Sequence, residues 1–491
     1  MKRFVFIGFD AADYRMVEQL AAEGSMPAFR RLMDSSARAI TRSPFAFFVG
    51  AQWPSFYTGL DTAGHGRYCY RQLIPGTYED RQFEAKGVDG SPFWDVLGAQ
   101  GKRLAVIDVP KTVVSNKFPG IHVVDWATHD TELIGMGTSP TELQDEIITR
   151  YGEGRERDCN RVPRTAEGFA TFRRNLLDRL ATKERFVIDR IDQGDWDALV
   201  AVFADTHCAG HQLWHFHDSQ HDRFDGTLVE EMGDPFRELY RAIDATLGRI
   251  LERIPPDCIA MVFASHGIGR HWDGLHLMDD VLARLDNVLP HGGAPRASKL
   301  KAELARRARM IRPYRFRKYF PEPLSPRAFQ KVFSIPNNEV YLGLRVNLDG
   351  REPLGRIRSA EFDSYCAALV EALSELRVGV DGPPAFTEIA MTRDRLTGPH
   401  LGDLPDIVAR WSRDRPFDAL LSPRIGEVRG RYKGVRTGDH QPDGLLLVSG
   451  GGIQPGERPA CRVEDLAPTF AAMLGATFPQ RDGSALPWVP C

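Results

Sequence analysis

Short apolar, β-branched runs alternate with helical stretches along most of this chain, and a largely parallel sheet with helices on both faces is the arrangement that satisfies such alternation. The strand-like runs are Arg3–Phe9, Leu104–Val109, Ile121–Val124, Ala198–Ala204, Cys258–Ala264, Val340–Val346, Asp406–Ala409 and Leu445–Ser449. Between them lie helical patterns such as Thr165–Asp192, Pro235–Ile254, Ser359–Leu376 and Val463–Leu474. The run A-L-V-A-V-F-A at Ala198–Ala204 carries no polar side chain, as a strand buried on both faces requires. At 491 residues the chain exceeds one comfortable core, so one large α/β domain with an insertion, or two domains, is expected.

The alternation also says where chemistry belongs, because ligands of open α/β sheets sit beyond the carboxyl ends of the strands. Directly after Ala204 the sequence reads D-T-H-C-A-G-H-Q-L-W-H-F-H-D-S-Q-H-D, with five of the chain's 14 histidines. His207 and His211 are four apart, so one helical turn aims both imidazoles the same way. Asp10 ends the first run, Ser265 and His266 follow V-F-A, and His440 precedes L-L-L-V-S. Residues at such positions can ring a single cleft. A solvated His/Asp-rich loop is the alternative reading of the histidine segment taken by itself.

Composition narrows the classes of partner. A net charge of −3 gives no electrostatic case for a nucleic acid duplex. The apolar opening ends at Asp10, too short for a signal peptide, and no later run reaches the length of a membrane span. Seven scattered cysteines without a C-x-x-C pair suggest reduced thiols and a cytoplasmic location. One segment departs from the average: residues 291–333 hold twelve Lys or Arg against two Glu, interleaved with aromatic residues. It is expected to be a basic insertion, a lid over an anionic substrate or a surface segment, within a catalytic domain made of 1–290 and 334–491.

Several motifs occur in a telling order: G-F-D at the start, W-P-S-F-Y-T-G-L-D-T-A-G-H-G from Trp53, A-G-H from Ala209, S-H-G from Ser265 and N-L-D-G-R-E-P-L-G from Asn347. L-P-D from Leu404, R-T-G-D-H-Q-P-D-G from Arg436 and D-L-A-P-T from Asp465 complete the series. In this order they resemble the type I phosphodiesterase/nucleotide pyrophosphatase branch of the alkaline phosphatase superfamily. The resemblance implies an alkaline phosphatase-like α/β fold and a site for two divalent metals, usually zinc, flanking a phosphoryl group. It also implies a Thr or Ser nucleophile that is transiently phosphorylated.

Carried over residue by residue, the resemblance assigns Asp10, His211, His266 and His440 as metal ligands. Three positions depart from the family's pattern. His207 stands where the family has Asp, with Asp205 nearby as a possible replacement carboxylate; Ser265 stands for the Asp of D-H-G; and the nucleophile position, ten residues before Gly59, is Val49. No hydroxyl or thiol occurs from Pro44 to Pro54, and the nearest hydroxyls are Ser43, Ser55 and Thr58. The expected metal set is therefore Asp10, His207, His211, His266 and His440, holding one or two ions, most simply zinc on His207, His211 and His440. Asp205, His271 and Asp439 are the candidate catalytic and ligand-supporting residues. Cys208 is expected to point away from the metal set, and His215, His217 and His221 to be solvated.

The implied activity is hydrolysis of a phosphodiester or pyrophosphate bond in a small, anionic substrate, with metal-bound water in place of the missing hydroxyl. A repurposed metalloenzyme of the same fold acting on a non-phosphate substrate in a biosynthetic pathway is the alternative. A non-catalytic binding relative would also account for Val49.

Overall fold

The computed structural model describes residues 3–129, 135–154, 159–290, 325–479 and 481–490. Its centre is a large mixed sheet in which Phe4–Phe9, wholly buried, lies between Ala198–Phe203 and Ile259–Ala264 and runs parallel to both. Leu104–Ile107 and Gly120–Val124 extend the parallel set on one side. On the other side Asp443–Ser449 joins antiparallel to Ile259–Ala264, followed by Ala37–Arg42. The apolar, β-branched composition of the central strands fits their position, since both of their faces are covered.

Helices Tyr14–Ala22, Ala166–Gln193 and Pro235–Arg253 pack on one face, around Phe9, Phe186, Phe203, Leu213 and Leu247. Phe93–Gly98 and Leu466–Met473 close the other, around Phe6, Phe56, Phe263 and Phe470. The expected α/β architecture, largely parallel at its centre with helices on both faces, is the observed one. No helix among the described residues is long and apolar enough to cross a membrane.

Two of the expected strands belong elsewhere. Tyr341–Val346 and Ile407–Trp411 pair with each other, and with Val332–Ile335 and Phe386–Met391, in a separate four-stranded antiparallel sheet. An apolar run fixes burial but not the strand it will pair with, which is why periodicity alone could not separate the two sheets. Arg351 holds this sheet to its flanking loop, donating from both terminal nitrogens to the Asp406 carboxylate at 2.7 Å, so the R-E-P and L-P-D motifs meet in a structural ion pair. Of the expected insertion 291–333, residues 291–324 lie outside the described residues. Val332 and Phe333, at its end, are paired with Val346 and Arg345 in the antiparallel sheet.

Candidate metal centre

The carboxyl edge of the central sheet supplies the site. After Phe203 the chain enters the helix Asp205–His217, and His207 and His211 fall one turn apart on it, both buried. His440 reaches the same edge by a different route. It sits on Gly438–Gln441, which forms a two-stranded ribbon with Gly267–Arg270, just before the antiparallel strand Asp443–Ser449. An antiparallel strand begins where its parallel neighbours end, so a residue preceding it arrives at the ligand-binding edge.

Two glycines let the helix and the ribbon meet. A Cβ on Gly438 would lie 2.2 Å from the backbone oxygen of Gly210, and one on Gly210 would lie 2.6 Å from Ile268. Neither position has room for a side chain. The close approach brings His211 Nδ1 to 2.8 Å from the Gly438 carbonyl.

One nitrogen each of His207, His211 and His440 can be chosen so that all three lie within 4.8 Å of one another. A tetrahedral zinc with Zn–N bonds of about 2.1 Å would set such nitrogens about 3.4 Å apart, a small contraction from that arrangement. His211 Nε2, His440 Nε2 and His207 Nδ1 are buried without a hydrogen-bond partner, whereas the opposite nitrogens of His211 and His440 are engaged. Nδ1 of His440 lies 3.0 Å from Asp439 Oδ1, and Asp439 in turn faces Arg413 at 3.2 Å. Orphaned imidazole nitrogens cost free energy unless something binds them, and ring nitrogens fixed by a carbonyl or a carboxylate on the far side are how metal-binding histidines are oriented. Burial, reinforced by the neighbouring imidazoles and, at His211, by Arg436, pushes His207 and His211 far below the usual imidazole range. They are therefore neutral, as ligation requires. The donor set fits a divalent transition metal.

Asp10 and His266 lie beside this trio but are arranged differently. The Asp10 Oδ1 atom accepts from Trp53 Nε1 at 2.9 Å and from Ser265 Oγ at 3.1 Å, while Oδ2 lies 3.5 Å from His129 Nε2. Burial would raise its pKa, but His129, His266 and Lys111 outweigh burial and hold the carboxyl well below its usual range. His266 stands 4.8 Å, ring to ring, from His440, and burial with the His440 charge lowers its pKa to about 3. Among the described residues, no group of three possible ligands that converge within 4.8 Å includes Asp10 or His266. The sheet edge thus gathers all five expected ligands into one region but draws only three of them together.

The remaining candidates fall into place around this core. Asp205, read from sequence as a replacement carboxylate, turns the other way: its Oδ1 accepts from Arg179 Nε at 2.7 Å, with both side chains essentially inaccessible. The physical reason is local, since the first residue of the helix faces Ala166–Gln193 and neutralises a buried guanidinium there. Asp439 backs His440 as described. His271 follows the ribbon strand Gly267–Arg270 and lines a separate cavity of about 240 Å³, with Asp273 at 2.8 Å and the Tyr432 ring tilted against it at 4.4 Å between ring centres. It can share ligand-atom spacing with Glu339 and Asp439, although those carboxylates already face Arg436 and Arg413.

Cys208 is closer to the cluster than helical phasing suggests, its sulfur lying within 4.8 Å of nitrogens of His129 and His207. His215 and His221 are buried rather than solvated and flank Thr437. His129 was missed by sequence reasoning. It stacks on His207 at 3.8 Å between ring centres and follows the strand Gly120–Val124, so the strand-end rule applied to that strand would have found it.

All of this opens into a cavity of about 770 Å³, whose wall includes Asp10, Val49, Lys111, His129, His207, His266 and His440. Val49 lies in the first turn of the helix Phe48–Thr58. Ser55 and Thr58, deeper in the same helix, are committed elsewhere: Ser55 Oγ to His65 Nε2 at 3.0 Å, and Thr58 Oγ1 to the Pro54 carbonyl at 2.7 Å. Cys69 lines the cavity, but its thiol donates to the Asn337 carbonyl and burial raises its pKa.

Residues 4–416 match the model of the type I phosphodiesterase / nucleotide pyrophosphatase family. The chain belongs to that family. Solved structures agree at the level of the fold. Murine ectonucleotide pyrophosphatase/phosphodiesterase 5 superimposes with a TM-score of 0.52 at 12% identity, covering 98% of each chain. An inactive variant of the murine protein, with a threonine replaced by alanine and in complex with AMP, gives 0.52 at 11% identity over 99% of this chain and 98% of that one. The human protein gives 0.51 at 12% over 98% and 97%. No curated protein matches the chain in sequence. Val49, the position expected from the motif order to carry the nucleophile, lines the cavity with an isopropyl group.

Proposed function

We propose that this family member is a metal-dependent hydrolase of phosphodiester or pyrophosphate bonds in small anionic substrates, and that its chemistry is centred on His207, His211 and His440. The observation that carries the reading is the convergence of three buried imidazoles with orphaned nitrogens, of which His207 and His440 line a large cavity. A bound zinc ion would supply Lewis acidity there, acidifying a water and offsetting the charge that builds on phosphoryl oxygens. The protein's own part is orientation. Gly438 and Asp439 fix the rings of His211 and His440, and Arg413 holds Asp439 in turn.

The murine structure with AMP belongs to a variant inactivated by loss of a threonine. Here Val49 offers no atom that can take up a phosphoryl group, so the expected course is hydrolysis without a phosphorylated side chain at that position. A cavity of about 770 Å³ is within the range that encloses small organic ligands.

The test is turnover of an aryl phosphodiester by protein loaded with zinc or manganese. Hydrolysis that is lost on chelation and restored by added metal is expected. No turnover with any divalent metal would contradict the reading and favour a non-phosphate substrate on the same scaffold.

A further inference from the structure

The region around Asp10 and His266, beside the imidazole trio, is the part of the site that a metal fits least. Asp10 is hydrogen-bonded to Trp53 and Ser265 on one oxygen and faces His129 with the other. Ser265 is itself tied down, accepting from the Ala11 amide at 3.1 Å. What the chain places beside Asp10 and His266 is a cation of its own. Lys111 reaches the cavity from the loop after Leu104–Ile107, and its ammonium donates to the carbonyl of Val49, the residue at the nucleophile position.

We propose that the Lys111 ammonium is the second cation of this site and binds the phosphoryl group of the substrate in the cavity beside the three imidazoles. The inference rests on the reading of the cavity as a phosphoryl-binding site.

Three observations support it. First, the backbone of Lys111 is in the left-handed region, with φ of 61°, a conformation unfavourable for a residue other than glycine. Strain of that kind persists where the surroundings enforce it, and it clusters at ligand-binding positions. Here Tyr57 helps to enforce it, donating from its hydroxyl to the Lys111 carbonyl at 3.0 Å.

Second, the charge is in the right place. Lys111 is among the groups that depress both Asp10 and His266, which places its ammonium within electrostatic reach of each. An anionic substrate entering past Asp10 meets a carboxylate whose repulsion this ammonium offsets. Third, an ammonium carries three donors, so its anchor on Val49 is compatible with a bond to a phosphoryl oxygen. The same anchor explains how Val49 serves the site despite its inert side chain, since it contributes its carbonyl.

The experiment combines zinc content with calorimetric titration of inorganic phosphate into zinc-loaded and chelator-treated protein, for the wild type, Lys111→Met and Lys111→Arg. One zinc per chain is expected in all three. Lys111→Met should weaken phosphate binding at least about tenfold, the usual scale for loss of a hydrogen bond to a charged group, and Lys111→Arg should recover most of it. Retention of zinc by Lys111→Met would show that the fold and the imidazole cluster are intact.

Two zinc ions per wild-type chain, or unchanged phosphate affinity in zinc-loaded Lys111→Met, would overturn the proposal. Absence of zinc from the wild type would instead overturn the reading of the imidazole cluster. The role of Lys111 would then still be decided by the phosphate titrations of chelator-treated protein, where equal affinities would refute it and a tenfold difference would sustain it.

Discussion

The two halves of the cavity wall are built from the same kind of material and reach opposite ends. On one side His207, His211 and His440 converge, each with a buried nitrogen that nothing in the protein satisfies. On the other, Asp10 and His266 occupy equivalent strand ends, yet Asp10 Oδ1 is engaged by Trp53 and Ser265, Oδ2 faces His129, and Lys111 lines the same cavity. Position at a strand end therefore does not by itself bring ligand atoms together. What separates the halves is whether the ligand atoms converge, which the contacts behind each side chain set.

The largest effect that would break this contrast is loss of a trio member. His211→Ala and His440→Ala are each expected to lower zinc affinity by at least about 100-fold, the upper end of what even an outer-layer partner costs, and to abolish hydrolysis. Metal analysis after dialysis against a weak chelator checks this. Asp10→Asn, by contrast, should leave the zinc content at one per chain.

Next in size is a change in stability without a change in metal. Asp205→Asn breaks a pair with Arg179 in which both side chains are essentially inaccessible, and is expected to cost about 3 to 5 kcal/mol of folding free energy because the buried guanidinium loses its carboxylate. Chemical denaturation measures the loss. Zinc bound stoichiometrically by the folded variant would separate this structural role from a ligand role, and loss of the metal from a protein of unchanged stability would reverse the assignment.

Asp439→Asn should have a smaller effect, weakening zinc binding by about 10- to 100-fold, because His440 loses the carboxylate that fixes its ring. Competition with a chromogenic chelator gives the number. The smallest effect is expected at Val49. Val49→Ala leaves the carbonyl that anchors Lys111 in place and should alter kcat by less than about threefold, in line with a side chain that makes no bond to the reacting group. A large loss in kcat would show that the isopropyl group matters in a way the contrast does not contain.

Much of the sheet was legible because its strands are short, apolar and bounded by helical patterns, and the strand-end rule then led to Asp10, His207, His211, His266 and His440. The helix period correctly put His207 and His211 on one face. What pattern could not supply was direction. Asp205 stands two residues from His207 in a run of polar residues, and only the packing of Asp205–His217 on Ala166–Gln193 turns it to Arg179. Burial of His215 and His221 is likewise set by tertiary contact, since both rings meet Thr437, the residue just before the ribbon.

Lys111 and His129 escaped for another reason. Each follows a strand that the sequence does mark, but each stands alone in its loop, and a lone Lys or His carries no pattern. The close approach of Gly210 to Gly438, which seats His211, is likewise invisible until helix and ribbon are brought together.

The most direct test of the account is the position of bound metal, read from anomalous scattering at the zinc edge in crystals grown with zinc. A single peak within bonding distance of His207, His211 and His440, with none between Asp10 and His266, is the predicted result. A peak held by Asp10 and His266, alone or as a partner to the first, would contradict it.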